Sequence, residues 1–414
     1  MLCQQPVRLL PEDRIILTQA FTDEPILDFS QDSAGPFATQ HFNMNGATVI
    51  KVEQPGSGDQ MRTLLPVPDA HPPGMSPTFM AYNFGKQSIA VNLKAPDARE
   101  VILKLAATCD VVVENFRAGV INQLGFGFDD IRAVKPDIIY CSISGYGQSG
   151  PDSRRAAYDA AIQASAGMMA STGHPETGPV RATAFPIDIS TGLTAAFAIA
   201  SALYRRMRTG KGQYIDVAMQ DTAMTLLSSH YARYLAGGAE PELLGNQSPS
   251  RMPTSDTFET ADGHIMVATG TAAQATAFLE SIGLSDRLGE PMFIDNASRI
   301  ANHGAVQEII IPIMKTRTSN EWVAILEQRN IPVAKVRNVA EVVRDPQLET
   351  RGILRNVPDP EEADKVRKLP GAAFICDDDG PSVPGAPPKL GAQTRAVLRS
   401  LGYSDEQVES LRIL

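Results

Sequence analysis

The sequence predicts an α/β protein built on a mainly parallel β-sheet. The first observation is that short segments rich in Val and Ile recur between Pro25 and about Gln220. Most are bounded by turn residues, as strands are, and they read EPILDFS, ATVIKVEQ, QSIAVNL, CDVVVENF, PDIIYCSIS and QYIDVAM. The second observation is that helix-like segments separate them. Because parallel strands need crossover connections, this alternation is typical of a parallel sheet covered by helices.

Two of the helix-like segments are well marked. DAREVILKLAATC places Val101, Leu103 and Leu105 where they can cover a sheet. TGLTAAFAIASALYRRMRTGKG predicts a long helix that begins near Thr191 and ends at Gly210. Its basic residues lie in the last turn, where the negative helix terminus favours them.

The chain is long enough for two or three domains, and the alternation of strand-like and helix-like segments ends at about residue 222. DTFETADGHIMVATG predicts a β-hairpin with an Asp-Gly turn, and helical segments follow to about residue 340. We therefore predict a large α/β domain over 1–222, completed by 345–414. A smaller α+β domain is predicted over 223–344.

Charge and composition exclude several classes of function. The formal net charge is −10, from 37 Lys and Arg against 47 Asp and Glu, which argues against a nucleic-acid partner. The four cysteines lack C-x-x-C spacing and the six histidines lack paired spacing, so we expect no metal site. With no secretory signal and no run of about 18 apolar residues, a cytoplasmic protein without a membrane partner is expected.

Gly145, Gly147 and Gly150 fit the pattern G-x-G-x-x-G after a predicted buried strand. A dinucleotide-binding unit needs a helix that begins inside this pattern and a second strand that ends in an acidic residue. Here Pro151 follows at once, and a loop stands where the second strand should be. We therefore expect no bound NAD or FAD. The glycines are expected to let the backbone approach a ligand at the carboxyl end of the sheet.

A series of motifs in register resembles class III CoA-transferases, the family of carnitine CoA-transferase and formyl-CoA transferase. The motifs run from about residue 25 to 411 and include SAGPFATQ, GATVIKVEQPGSGDQMR, NFGKQSIAVNLK, DVVVENFRAG, YDAAIQASAGMMASTG, TGKGQYIDVAMQD, TFETADGHIMVA, APPKLG and LGYSDEQVESL. The resemblance implies a large Rossmann-like domain, a smaller domain and an interlocked, ring-like homodimer. It also implies acyl-CoA and small carboxylic acids as substrates, with coenzyme A as a co-substrate and no permanently bound cofactor.

CoA transfer between acids is suited to a carboxylate nucleophile, which forms a mixed anhydride and then an enzyme-bound CoA thioester. By resemblance, Asp188 in FPIDISTG is our prediction for this residue, with Glu176 in TGHPETGP and Asp159 in AYDAAIQ as alternatives. Each also has a purely structural interpretation. Asp188 can cap the following helix, Glu176 can be solvated in its loop, and Asp159 suits a positive helix terminus.

The runner-up function is that of the similar α-methylacyl-CoA racemases, which abstract a proton next to the thioester carbonyl with a His/Asp pair. Asp188 corresponds to the Asp, but Tyr158 occupies the His position. A phenol is a poor base at neutral pH compared with imidazole. His174 is the nearby residue that could substitute for the missing base.

The resemblance also assigns a CoA groove and a loop that faces the acyl group. The groove residues are Ser33, Ala34, Arg62, Asn92, Lys94, Asn115, Phe116, Arg117, Ser144, Gly145 and Tyr146. Arg117 is the prime phosphate ligand, since its guanidinium matches phosphate geometry, and Arg62 is a second. Some relatives carry a poly-glycine lid near 243–253, where this chain has only Gly245. Arg251 there is a candidate for binding a free carboxylate of a dicarboxylic acid.

Overall fold

A computed structural model describes residues 19–67, 71–362 and 364–411. In these residues the strands are β1 (Ile26–Asp28), β2 (Val49–Glu53), β3 (Gln87–Ala90), β4 (Val111–Glu114), β5 (Ile139–Ser144), β6 (Gly173–His174), β7 (Gly178–Pro179), β8 (Gln213–Ala218), β9 (Thr257–Glu259), β10 (His264–Val267), β11 (Val333–Lys335), β12 (Leu354–Pro358) and β13 (Val366–Pro370).

The α-helices of the same residues alternate with these strands in the first half of the chain. They are α1 (Ala34–Met44), α2 (Pro77–Asn83), α3 (Ala98–Ala106), α4 (Val120–Gln123), α5 (Phe128–Val134), α6 (Asp159–Ser165), α7 (Pro186–Thr209), α8 (Met219–Leu226), α9 (Ser228–Gly237), α10 (Ala272–Ser281), α11 (Asn296–Ala301), α12 (His303–Met314), α13 (Ser319–Glu327), α14 (Val339–Val342), α15 (Pro346–Arg351), α16 (Thr394–Ser400) and α17 (Asp405–Ser410).

The chain divides into two compact units. The large unit comprises the described residues up to Ile162, Ala184–Leu226 and those from Glu349 on; the small unit comprises Gln163–Thr183 and Leu227–Leu348. Unlike the sequence-based division, this one assigns Gln163–Thr183 to the small unit. Gln163 closes that segment on itself, since its side chain both donates to and accepts from the backbone of Ala182, each at 2.9 Å.

The large unit is built on a six-stranded sheet in the order β3-β2-β1-β4-β5-β8, in which every pair is parallel. This confirms the predicted α/β class with a parallel sheet. The strand order reverses between β1 and β4. In open α/β sheets such a switch point opens a crevice outside the carboxyl ends of the strands, where ligands bind.

Helices cover both faces of this sheet, which is why its strands are continuous apolar runs. On one face α3 packs Val101, Ile102 and Leu105 against the sheet, together with residues of α16. On the other face α1 and α7 pack against β1, β4 and β5 through Ala195, Ile199 and their neighbours.

The long helix α7 begins at Pro186, five residues before the predicted start, and ends before Gly210, whose φ is 66°. It is long and apolar enough to cross a membrane by composition alone. One of its faces is nevertheless buried in the protein, at Ile187, Thr191, Gly192, Ala195, Ile199, Ala202 and Leu203. That burial is typical of a core helix.

The small unit contains the antiparallel sheet β11-β10-β9 with helices α10 to α13 packed around it. The predicted hairpin is present as β9 and β10, which pair Phe258 with Ile265. Trp322 of α13 is buried here and donates its indole N–H to the carbonyl of Met314 at 2.7 Å. A separate short hairpin, β6–β7, pairs Gly173 with Pro179.

Candidate active site

A cavity of about 240 Å³ opens at the switch point of the large unit. Its walls come from the segments that follow β1, β2, β4, β5 and β8 and from the first turn of α7, as the parallel topology requires. The lining residues are Gln31, Asp32, Ser33, Ala34, Gln60, Asn115, Phe116, Arg117, Ile143, Ser144, Gly145, Ser153, Arg155, Ala156, Ala157, Tyr158, Asp188 and Met219.

Asp188 contributes a carboxylate to this cavity from the first turn of α7. It does not cap the helix, because the N-cap position belongs to Phe185, with φ 51° and ψ 51°. Burial first of all, and then the nearby carboxylates of Asp159 and Asp32, raise the pKa of Asp188 to about 7. The cavity therefore holds a desolvated acid that titrates near neutral pH.

Asp159 positions the backbone of Asp188. It is almost fully buried at the start of α6, and its Oδ2 accepts the N–H groups of Ile187 at 2.8 Å and of Asp188 at 3.1 Å. These are orphan donors of the first turn of α7. The sequence linked Asp159 to a helix terminus; the terminus that it satisfies is that of α7, 28 residues downstream.

Glu176 lies in the small unit, exposed in the turn that joins β6 to β7. The segment 243–253 docks on this hairpin: the N–H of Gly245 donates to the carbonyl of Gly173 at 2.7 Å. A side chain at Gly245 would collide with the ring of His174. Arg251 of the same segment is paired with Glu242.

Asp32 is the second acid that lines the cavity, and sequence reasoning missed it. Its φ of 67° is a backbone conformation that non-glycine residues rarely adopt. The side chain accepts a hydrogen bond from Gln60 at 2.6 Å. Burial and the charge of Asp59 raise the pKa of Asp32. Nothing in DSAGP shows that the chain turns here.

Seven of the predicted CoA-groove residues line the cavity: Ser33, Ala34, Asn115, Phe116, Arg117, Ser144 and Gly145. Asn115 joins two of the loops by donating to the carbonyl of Gln31 at 2.7 Å and accepting its N–H at 2.9 Å. The N–H of Phe116 is held by the buried carboxylate of Glu114 at 2.9 Å. Burial raises the pKa of Glu114 to about 7.

The glycine pattern forms the turn that follows β5. Gly145 lines the cavity, and a Cβ there would lie 2.2 Å from the Cβ of Ala157, so no larger residue fits. Gly147 and Gly150 have φ values of 85° and 91°, the left-handed region that favours glycine. The glycines of the pattern thus let the backbone at Gly145 pack closely against Ala157 and let the chain turn at Gly147 and Gly150.

Three other predicted groove residues lie outside this lining. Asn92 and Lys94 follow β3, where the N–H of Lys94 donates to the side chain of Asn92 at 3.1 Å. Tyr146 follows Gly145, and its ring lies 5.0 Å from the guanidinium carbon of Arg155. Their roles stay predictions, suited to a ligand that extends beyond the cavity.

The assignment of Arg62 as a phosphate ligand is corrected by the structure. Only 4% of the residue is exposed, and its guanidinium forms two 2.7 Å hydrogen bonds to the carboxylate of Glu53. It also donates to the carbonyls of Gly74 and Pro388 and stacks 3.9 Å from the ring centre of Phe79. Because its partners are inside the protein, Arg62 is a structural cation.

Comparison with known proteins agrees with this geometry. The model of CoA-transferase family III matches residues 23–394. The succinyl-CoA:glutarate CoA-transferase of Homo sapiens is 36% identical over 391 residues, which cover 93% of this chain and 87% of that protein. The succinyl-CoA:mesaconate CoA-transferase of Haloarcula marismortui is 34% identical, with 92% and 96% covered.

A solved structure agrees as well. The crystal structure of a CAIB/BAIF family protein from Brucella suis superposes with a TM-score of 0.83 at 32% identity. The match covers 93% of this chain and 100% of that one. The resemblance found in the sequence is confirmed, and the chain belongs to CoA-transferase family III.

Proposed function

We propose that this CoA-transferase moves CoA from an acyl-CoA to a dicarboxylic acid, with Asp188 as the nucleophile. The observation that carries the proposal is the carboxylate of Asp188 in the cavity, with a pKa raised by burial to about 7. A desolvated carboxylate is a better nucleophile than a hydrated one. The substrate class is supported by relatives named for succinyl-CoA, glutarate and mesaconate.

The proposed reaction begins when Asp188 attacks the thioester carbonyl of the acyl-CoA. The C–S bond breaks, which leaves a mixed anhydride and the CoA thiolate. The thiolate attacks the Asp188 carbonyl of the anhydride, releases the first acid and forms a thioester on the enzyme. The acceptor carboxylate attacks this thioester, frees the thiolate again and forms a second anhydride. Attack by the thiolate on the acceptor carbonyl gives the new acyl-CoA and restores Asp188.

The residues that line the cavity favour CoA transfer over α-proton abstraction as the reaction of this site. Among the cavity-lining residues, all of them described, there is no histidine, and Tyr158 stands where the similar racemases have one. His174, the predicted substitute, belongs to the small unit and lies against Gly245. Glu176 stays the alternative nucleophile. Arg117 is proposed to bind the phosphates of CoA.

The proposal includes a homodimer. The face of α7 turned away from the sheet exposes Leu193, Phe197, Tyr204 and Met207, of which Phe197 is 76% and Met207 80% exposed. These positions repeat at helical spacing, so they form an apolar stripe that is typical of a protein interface. The interlocked arrangement is what the family resemblance implies, and the cytoplasmic location stays a prediction from the sequence. Light scattering after gel filtration tests the dimer.

The function is tested by incubating the protein with succinyl-CoA and glutarate and separating the products by liquid chromatography with mass detection. Glutaryl-CoA and free succinate are expected in equal amounts. Uptake of deuterium at the α-carbon of a 2-methylacyl-CoA in D₂O, without CoA transfer to any acid, would contradict the proposal and favour the racemase.

A further inference from the structure

We infer that Arg155 binds the second carboxylate of a dicarboxylic substrate, the one that does not react. By doing so it selects dicarboxylic over monocarboxylic acids. The inference rests on the proposed function. The sequence pointed to Arg251 for this task, but in the small unit that side chain is already paired with Glu242. Arg155 lines the same cavity as Asp188.

The cavity lining carries charges of both signs. Among its described lining residues the acids are Asp32 and Asp188, and the cations are Arg117 and Arg155. A dicarboxylate carries two negative charges into a site where the acids already raise the pKa of Asp188. Like charges at short range in a partly dry site repel strongly. The second carboxylate therefore needs a cation of the lining.

The chain ties Arg155 closely to the reacting group. Asp159 is four positions further along the chain, so the two Cα atoms are at most about 14 Å apart. Asp159 in turn holds the N–H of Asp188 at 3.1 Å. Arg117 comes from a different element, the turn after β4. Of the two cations, Arg155 is thus the one anchored on the segment that positions Asp188.

Arg155 is oriented but not saturated. Its guanidinium carbon lies 5.0 Å from the ring centre of Tyr146, a cation–π contact that holds the guanidinium group over the ring. It also forms a 3.1 Å ion pair with Asp152, in which the two side chains are 59% and 49% exposed. An exposed pair of this kind is weak, so a substrate carboxylate can displace Asp152. The guanidinium fork matches the two oxygens of such a carboxylate.

Arg155→Gln is the test, and Arg154→Gln is its matched control, because Arg154 is the exposed neighbour outside the lining. We expect R155Q to lower the ratio of kcat/KM for glutarate over butyrate roughly 10- to 100-fold. Since donor and acceptor pass through the same anhydride chemistry, the ratio for succinyl-CoA over butyryl-CoA is expected to fall with it. R154Q is expected to keep both ratios within twofold.

An equal fall with both classes of acid would overturn the inference, because it would give Arg155 a role in CoA binding. Unchanged ratios would overturn it as well.

A second measurement does not need turnover. Glutarate, but not butyrate, is expected to protect Arg155 from phenylglyoxal, with Arg154 as internal control in the mass spectrum. If the wild-type protein transfers no CoA, the proposed function fails. Protection then still decides whether Arg155 binds a dicarboxylate, and equal modification with both acids rejects it.

Discussion

Two groups of buried charges lie at the carboxyl edge of the same parallel sheet, and they are built in opposite ways. In the first, which we call the paired network, each carboxylate meets a cation: Lys86 with Asp28 at 3.2 Å, Lys51 with Asp59 at 2.8 Å, and Arg62 with Glu53 at 2.7 Å. Burial opposes the ionisation of Asp28. Lys86 and Lys51 outweigh it, so the pKa of Asp28 is lowered.

The second group, the cavity acids, consists of Asp32 and Asp188, which line the cavity. Among the described side chains, neither Asp32 nor Asp188 forms a salt bridge, and the pKa values of both are raised, first of all by burial. The paired network stabilises the fold with its own cations. Asp32 and Asp188 have no such cation among the described residues and are strained toward neutrality by burial, which is a pattern typical of active sites.

The largest expected effect is on the rate of CoA transfer, when one of the cavity acids is replaced. Asp188→Asn keeps the size of the side chain but removes the nucleophilic oxygen, so kcat for CoA transfer is expected to fall at least about 10³-fold. Asp221→Asn, an exposed change on α8, is the control and should retain activity. Full activity of D188N, with loss in Glu176→Gln, would move the nucleophile to the β6–β7 hairpin.

The next effect concerns stability and belongs to the paired network. Lys86→Met leaves Asp28 buried without its ion-pair partner, and also removes hydrogen bonds to Thr39 and Asn83. The free energy of unfolding in urea should drop by about 3–5 kcal/mol. The control Arg395→Met breaks the exposed pair with Glu409 and should cost about 0–1 kcal/mol. Similar losses in both variants would show that burial does not distinguish these pairs.

The pH dependence of turnover follows from the pKa of Asp188. The nucleophile must be ionised, and its pKa in the folded protein is about 7. The value of kcat/KM is therefore expected to rise roughly tenfold between pH 6 and pH 8. Initial rates in buffers of constant ionic strength measure it. A profile that is flat over this range, or one that rises near pH 4, contradicts the assignment.

The last prediction concerns the sign of a stability change: replacing Asp by Asn should raise the free energy of unfolding in one group and lower it in the other. The pKa of Asp188 is raised from 3.8 to about 7, so the stability that its protonated form supplies is lost as pH rises through 7. Asp188→Asn should raise the free energy of unfolding at pH 8 by roughly 1–3 kcal/mol, and by less at pH 5.

Asp28→Asn is the counterpart in the paired network. The folded-state pKa of Asp28 is lowered, so its ionised form stabilises the fold at neutral pH, and that stability is lost as pH falls through the folded-state pKa. The variant should therefore be less stable than wild type at pH 8. Thermal unfolding at pH 5 and pH 8 shows whether each variant is more or less stable than wild type. A change of stability in the same direction in both variants would refute the distinction between the two groups.

The sequence was sufficient for the sheet, because its strands are short apolar runs separated by helices, and for the family, because many motifs occur in register. Asp188 and seven of the predicted CoA-groove residues do line the cavity, and their roles there stay predictions. The sequence was misleading at Arg62, since nothing local indicates that Glu53 lies against it. The backbone turn at Asp32 and the place of Gln163–Thr183 in the small unit depend on tertiary contacts, which local patterns do not carry.

The most direct test is to locate the enzyme adduct. The protein is incubated with succinyl-CoA, the enzyme thioester is reduced with borohydride, and its peptides are analysed by mass spectrometry. We expect the carboxyl group of Asp188 to be reduced to an alcohol, and we expect no such change when the acyl-CoA is omitted. Reduction at Glu176, with Asp188 unmodified, would contradict this expectation.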